Sequence, residues 1–164
     1  MTAVSHEAHL PALDRHRRDE VGHELQATLV ELIDLSLLGK QLHWTIAGRP
    51  FKPLHEHLDE LVDAWRELSD TVAERAVALG FVPDGQSATV SAASGIASIS
   101  AGLRDTDTAL RELVERLADV TERIRGRMDR LGELDLASQD VLVEVVRELE
   151  KQLWMVRSSL PGAA

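Results

Sequence analysis

Five residues of this chain have the side chains and the spacing of metal ligands. His55 and Asp59 are four residues apart, Asp70 and Glu74 are four residues apart, and His43 precedes both pairs. Residues at i and i+4 of an α-helix project from the same face, as two ligands of one ion must. Imidazole combined with carboxylate suits iron better than calcium, which prefers oxygen ligands alone. The pattern indicates an iron site; the alternative is that the acidic residues only solvate a helix.

The spacing between the two pairs excludes a single site within one chain. Asp59 and Asp70 are 11 residues apart, so on one helix they share a face but lie roughly 16 Å apart along its axis. The two metals of a dinuclear site are only about 3.5–4 Å apart. The pairs can therefore cooperate only across two antiparallel copies of the helix. A twofold axis between the copies creates two identical sites.

That arrangement also predicts a register between the two copies. In an antiparallel pair, facing residues have a constant sum of residue numbers, and the pairings of His55 with Glu74 and of Asp59 with Asp70 share the sum 129. Asp63 and Arg66 have the same sum, so they are expected to form ion pairs across the dyad. Pairing within their own helix at i,i+3 remains the alternative.

Apolar periodicity predicts the elements that carry these residues. Long helices are expected over about 19–44, 53–79, 103–131 and 138–158. Pro53 suits a first helical turn, and Gly80 and Gly132 suit helix ends. The first helix has a wide apolar stripe, so we expect it to contact more than one neighbour.

The predicted elements define one domain. A mixed segment, 81–102, separates the second and third long helices and has room for one short helix. Four long helices with one long middle connection indicate an all-α, ferritin-like four-helix bundle. We expect the bundle to span residues 19–160 and a flexible N-terminal tail to cover residues 1–18.

Composition narrows the class of function. The 164 residues suffice for one domain with its own core. The net charge of −10 repels nucleic acid and attracts cations. The chain has no cysteine, so thiolate ligands and disulfides are excluded. No apolar run approaches the roughly 20 residues of a membrane span. We expect a cytoplasmic protein without membrane attachment.

The segment from Leu38 to Gly80 resembles the diagnostic part of the Dps family, the DNA-binding proteins from starved cells. The resemblance is carried by LHW at 42–44, LHEHLDE at 54–60 and SDTVAERAVALG at 69–80. The five candidate ligands have that family's ferroxidase spacing. Two later segments add to the resemblance: VPDGQSATV at 82–90, similar to actinobacterial members, and LEKQLWMVRS at 149–158, similar to the family's last helix.

The resemblance implies a fold, an assembly and an activity. Family subunits are four-helix bundles with a short extra helix in the middle connection, and they form a hollow homododecamer. Fe(II) is oxidised with hydrogen peroxide or oxygen at di-iron sites between subunits. Ferric oxide mineral collects inside, and consuming iron and peroxide together protects DNA from oxidative damage.

The same resemblance implies roles for individual residues. One subunit supplies His43, His55 and Asp59, and its partner supplies Asp70 and Glu74. Trp44 either exchanges an electron with the oxidising site or fills the interface as an aromatic plug. The other two tryptophans are expected to be packing residues: Trp65 and Trp154.

Three further groups carry open alternatives. Lysine-rich tails bind DNA in some members. The N-terminal tail of this chain contains arginine but no lysine, so we expect any DNA binding, or association with the nucleoid, to be weak. These are Arg15, Arg17 and Arg18. Acidic residues near the last helix either line an iron-entry pore or solvate a helix start: Glu133, Asp135 and Asp140. Three histidines of the N-terminal tail either bind a second metal or are simply solvated: His6, His9 and His16. The alternative to iron oxidation as the main function is binding and compaction of DNA in the nucleoid.

Overall fold

The computed structural model describes residues 13–162, which form five α-helices and two short strands. The helices are α1 (Arg15–Thr45), α2 (Phe51–Ala78), α3 (Ser87–Ala93), α4 (Thr106–Leu134) and α5 (Leu136–Ser158). The strands β1 (Ile46–Ala47) and β2 (Arg104–Asp105) pair in parallel. The prediction of an all-α four-helix bundle is confirmed, and α3 is the short extra helix of the middle connection.

The four long helices pack as two antiparallel hairpins, α1 with α2 and α4 with α5, around a core rich in leucine. As predicted, α1 contacts several neighbours, because it also packs against α3 and α4. Trp65 is fully buried in α2, and its indole N–H donates to Gln152 Oε1 of α5 at 2.7 Å. Trp154 is 60% exposed, so the packing role predicted for it is wrong within a single chain.

A buried acid ties the two hairpins together. Glu31 of α1 is only 2% exposed and accepts hydrogen bonds from Arg123 at 2.5 Å and Arg127 at 2.6 Å, both on α4. A buried charge is tolerated only when it is paired, and removing one partner of such a pair typically costs about 3–5 kcal/mol. These contacts hold α1 at a fixed position along α4.

The first helix begins four residues earlier than expected and includes part of the predicted tail. Asp14 caps α1: its side chain accepts a hydrogen bond from the backbone N–H of Arg17 at 3.0 Å. A cap satisfies one of the free N–H groups of a first helical turn and extends the helix toward the N-terminus. Residues 1–12, with His6 and His9, lie outside the described residues. His16 pairs with Glu20 on the exposed first turns, at 3.4 Å.

The third long helix also differs from expectation at both ends. It begins at Thr106 rather than near residue 103, because Arg104 and Asp105 form β2 and Asp105 caps the helix through the N–H of Thr108. It continues past Gly132 to Leu134. A Cβ at Gly132 would lie 2.6 Å from the side-chain nitrogen of Gln139, so this glycine permits close approach of α5 and does not end the helix. By contrast, Gly80 follows α2 with a φ of +80°, as predicted.

The turn between α4 and α5 is fastened to α2 through one carboxylate. Asp135 caps α5 by accepting from the N–H of Ser138 at 3.0 Å, and it accepts from the guanidinium of Arg75 at 2.7 Å. Burial alone would raise the pKa of Asp135, but the hydrogen bonds from Ser138 and Arg75 outweigh it and hold the pKa below its usual value. Of the three pore candidates, Asp135 is therefore engaged within the chain, whereas Glu133 and Asp140 are exposed.

We expect Asp135→Asn to lower the free energy of unfolding at neutral pH by about 1–3 kcal/mol, because it removes an ionised cap and a partly buried ion pair. A carboxylate whose pKa is depressed by folding contributes stability above its unfolded pKa, near 3.9, and loses it as the pH falls through the folded pKa. The difference in Tm from wild type should therefore shrink below about pH 4. Exposed Asp119→Asn is the control, and an equal Tm deficit at pH 3 and pH 7 would contradict the assignment.

Candidate metal centre

The end of α1 and the start of α2 bring three of the five candidate ligands into contact. The rings of His43 and His55 stack with their centroids 3.6 Å apart. His43 Nδ1 lies 2.9 Å from the carbonyl oxygen of His55, and His55 Nδ1 lies 3.1 Å from the carbonyl oxygen of His43. Each ring is thus held by the backbone of the other residue.

This reciprocal arrangement assigns the protons of both rings. A carbonyl oxygen only accepts hydrogen bonds, so each Nδ1 is the donor, and the tautomer that satisfies both contacts has its lone pair on Nε2. Metal-binding histidines commonly have their second nitrogen fixed in this way by a carbonyl or a carboxylate. Nδ1 of His43 and of His55 is therefore engaged within the chain, so Nε2 is the nitrogen with which either candidate ligand could bind a metal ion.

The third residue, Asp59, is partly neutralised by its neighbours. One oxygen, Oδ1, accepts a hydrogen bond from the ammonium group of Lys40 and lies 3.2 Å from His43 Nδ1. The hydrogen bond from Lys40 holds the pKa of this half-exposed carboxyl below its usual value. Asp59 is therefore ionised at neutral pH, and it helps to orient His43.

Asp70 and Glu74 lie apart from these three residues. Both are exposed on α2, and the helix rise places Asp70 roughly 16 Å from Asp59 along the axis. The contacts among His43, His55 and Asp59 do not by themselves form a metal-binding group, and no other three His, Asp or Glu side chains among residues 13–162 form one. A single chain thus presents two separate halves of the predicted site.

Two contacts of the histidine half were not predicted. Lys40 binds Asp59, and Phe51 stacks on the His55 ring with the centroids 4.8 Å apart. The sequence contained a sign of both contacts. Lys40 precedes His43 by three residues and Phe51 precedes His55 by four, which places each pair on one helix face. Trp44, beside His43, is 68% exposed.

Within one chain, Asp63 and Arg66 pair with each other along α2, which was the alternative to pairing across a dyad. The two side chains are exposed and approach each other at i,i+3, with 4.0 Å between Arg66 Nη1 and Asp63 Oδ1. An exposed pair of this kind contributes about 0–1 kcal/mol. The ion pair across a dyad stays a prediction.

Comparison with known proteins decides the family. The ferritin-like domain matches residues 23–161. The "DNA protection during starvation protein" of Mycolicibacterium smegmatis is 34% identical over 154 residues, which cover 94% of this chain and 84% of that relative. The chain belongs to the Dps family of ferritin-like proteins. Membership implies iron storage and DNA protection, and Dps proteins typically oxidise iron.

Solved Dps structures share the fold throughout. Mycobacterium smegmatis Dps superposes with a TM-score of 0.90 at 33% identity, covering 94% of this chain and 89% of that one. Dps from Microbacterium arborescens, solved in a high iron form, superposes with a TM-score of 0.85 at 30% identity, covering 91% and 97% of the two chains. Across residues 13–162, every helix is too short or too polar to cross a membrane.

We expect Lys40→Gln to strengthen metal binding at the histidine half by about two- to fivefold, because it releases the Asp59 carboxylate from its ion pair with Lys40. Calorimetric titration with Zn²⁺, which has no redox chemistry, measures the affinity. Lys52→Gln is the matched control, since Lys52 pairs with Glu56 on the exposed start of α2. Affinity that stays unchanged or falls in the Lys40 variant would show that the lysine does not compete with the metal.

Proposed function

We propose that this chain is a ferroxidase and iron-storage protein that oxidises Fe(II) at di-iron sites shared between two copies. Hydrogen peroxide or oxygen accepts the electrons, and a homododecameric shell stores the ferric product as mineral. The observation that carries the proposal is the division of the site. Two histidines offer free Nε2 atoms at one end of α2, and exposed acids with matching spacing stand at the other end.

The chemistry of the side chains supports iron as the substrate. Neutral imidazole and carboxylate together suit ferrous iron, and the carboxylates offset the charge that rises on oxidation. Each ferrous ion gives up one electron, and peroxide requires two. A site that holds a pair of ions thus reduces peroxide to water without releasing a hydroxyl radical.

The candidate ligands are assigned to two iron positions. The partner's Glu74 holds the tighter iron, together with the partner's Asp70 and one histidine of the pair His43 and His55. Asp59 serves the second position, and that position is weaker because Lys40 already occupies one of its oxygens. Trp44 lies beside the histidine half with its indole exposed.

The double variant Asp70→Asn with Glu74→Gln is expected to assemble normally and to oxidise Fe(II) at least about 10–100 times more slowly, a loss that even outer partners of metal ligands produce. Stopped-flow absorbance of ferric product after anaerobic Fe(II) loading measures the rate. Glu56→Gln with Glu60→Gln, on the same helix but outside the ligand set, should keep the wild-type rate. Normal kinetics in a correctly assembled acid-half variant would reject these ligands.

Complementation tests whether the site is shared. A second inactive variant replaces both histidines, His43→Ala and His55→Ala. In a mixed dimer, one of the two sites combines intact histidines with intact acids, so random co-assembly should restore about one quarter of wild-type activity. The two variants purified separately and mixed without subunit exchange are the control. Co-assembled shells that stay inactive would contradict sharing across the dyad.

DNA binding is the rival function, and the relative's name, DNA protection, makes it testable. Arg15, Arg17 and Arg18 lie on the first turn of α1, where Arg17 already pairs with Asp14. The chain's net charge of −10 opposes binding to phosphate. We expect plasmid retention only at low salt, with a shallow salt dependence that reports few phosphate contacts. Gel-shift titration against salt measures it, and firm retention at physiological salt would overturn the expectation.

A further inference from the structure

The segment where β2 passes into α4 holds the turn between α1 and α2. This turn, residues 46–50, separates the two candidate histidines: His43 lies three residues before its first residue, and His55 lies five residues after its last. β2 pairs with β1, the first two residues of the turn. Thr106, which follows β2, is 3% exposed, and its hydroxyl donates to the carbonyl oxygen of Arg49 at 2.9 Å. Both edges of the turn are therefore fastened to one segment.

The first turn of α2 has no side-chain cap. Pro50 is the N-cap residue, and it makes no capping hydrogen bond to the N–H groups that follow. A side-chain cap normally stabilises such a helix end, because the first N–H groups have no partner within the helix. The bond from Thr106 to Arg49, the residue before this N-cap, therefore supplies an anchor that the end of α2 lacks.

The hydroxyl of Thr106 is not needed to begin its own helix. Asp105 caps α4 by accepting from the backbone N–H of Thr108 at 2.9 Å and from the Thr108 hydroxyl at 2.8 Å. A buried hydroxyl needs a partner, because a polar group left unsatisfied away from water is destabilising. Thr106 finds its acceptor in Arg49, 57 residues away. The bond therefore joins two distant elements and does not complete a helix end.

The segment that carries Thr106 is itself fixed. Arg104 of β2 is 8% exposed, and its guanidinium donates to the Glu112 carboxylate on α4 and to the carbonyl oxygens of Ser100 and Gly102. A guanidinium bound to a carboxylate makes strong hydrogen bonds in a defined geometry. The turn between α1 and α2 is therefore fastened to a well-anchored part of the fold.

Holding the turn also holds the two candidate imidazoles. Each ring of the pair His43 and His55 contacts the backbone carbonyl of the other residue, at 2.9 and 3.1 Å. Both bonds require the end of α1 and the start of α2 to keep one relative position. N–H···O hydrogen bonds are usually about 2.7–3.2 Å long, so a displacement of roughly half an ångström at the turn would break them. A histidine ligand whose second nitrogen is released loses orientation and metal affinity.

We propose that Thr106 is a positioning residue for His43 and His55, and that it acts through the carbonyl oxygen of Arg49. The proposal rests on the proposed function for the role of the two histidines, and it adds a residue that touches neither of them. Loss of a direct outer partner of a metal ligand typically lowers metal affinity about 10–100-fold. Thr106 acts one step farther away, through the backbone, so the expected loss of affinity is smaller.

Thr106→Val removes the hydroxyl and keeps the branched shape of the side chain. Calorimetric titration with Zn²⁺ should show about 3–10-fold weaker binding at the histidine half, and Thr106→Ser, which keeps the hydroxyl, should recover most of the affinity. Thr121→Val is the matched control, because the buried Thr121 hydroxyl donates to the carbonyl oxygen of Leu117 in its own helix, at 2.6 Å. The variant His43→Ala with His55→Ala gives the background. Unchanged affinity in Thr106→Val, an equal loss in both valine variants, or no recovery with serine would overturn the proposal.

Amide hydrogen exchange tests the same coupling in the wild-type protein. Coupling between two sites is reciprocal, so Zn²⁺ bound at the histidines should slow exchange at residues 104–108 as well as at the turn. Helix α3, which contains no acid or histidine, is the control and should exchange at its usual rate. The protection should be absent in the variant that lacks both histidines. Exchange at residues 104–108 that Zn²⁺ leaves unchanged would overturn the proposal, even if Thr106→Val folds poorly.

The two proposals fail in different ways. If the positioning role is right and the shared ferroxidase site is wrong, Thr106→Val binds Zn²⁺ more weakly while the Asp70 and Glu74 variant oxidises iron normally. If the shared site is right and the positioning role is wrong, the Asp70 and Glu74 variant oxidises iron slowly while Thr106→Val binds Zn²⁺ as tightly as wild type.

Discussion

A straight α-helix fixes the distance between its residues, and this constraint governs the arrangement of the candidate site. The rise of α2 places Asp59 and Asp70 roughly 16 Å apart, and no change of side-chain rotamer closes that gap. The histidine half is organised at one end of the helix, and the acids remain in water at the other. Joining the halves requires a second copy, so under the proposed function the chemistry and the assembly of this Dps protein depend on the same surface.

The histidine half is held by contacts that are weak singly and specific in geometry. A hydrogen bond of the kind that His43 and His55 each make to the other's carbonyl oxygen typically contributes about 0.5–1.5 kcal/mol. Together the two bonds fix the position of α1 along α2 and the tautomer of both rings. Trp65 anchors α2 to α5 through Gln152. Helix α2, which carries four of the candidate ligands, is therefore fixed against both neighbours by contacts within the chain, which leaves little ordering for binding to require.

The sequence predicted the bundle and the helix that carries four of the candidate ligands, because both depend on local spacing. Residues four apart share a helix face in any helix, and apolar periodicity marks the buried side. The features that the sequence did not predict depend on single contacts between helices. Gly132 resembled a helix end, but its role is set by the approach of Gln139 from α5. Lys40 resembled a surface lysine until the register of α1 against α2 placed it on Asp59. Periodicity specifies a buried face, but not which residue of the neighbouring helix meets it.

The proposed pairing brings carboxylates of two copies together, and this links association to iron. Asp70 and Glu74 of one copy approach Asp59 of the other, and like charges repel unless a cation lies between them. A metal that binds only the paired state strengthens pairing in proportion to its concentration above the dissociation constant. Without iron, the copies need an attraction that does not depend on charge. Phe51 and Trp44, two exposed aromatic side chains beside the histidine half, offer surface for such an attraction.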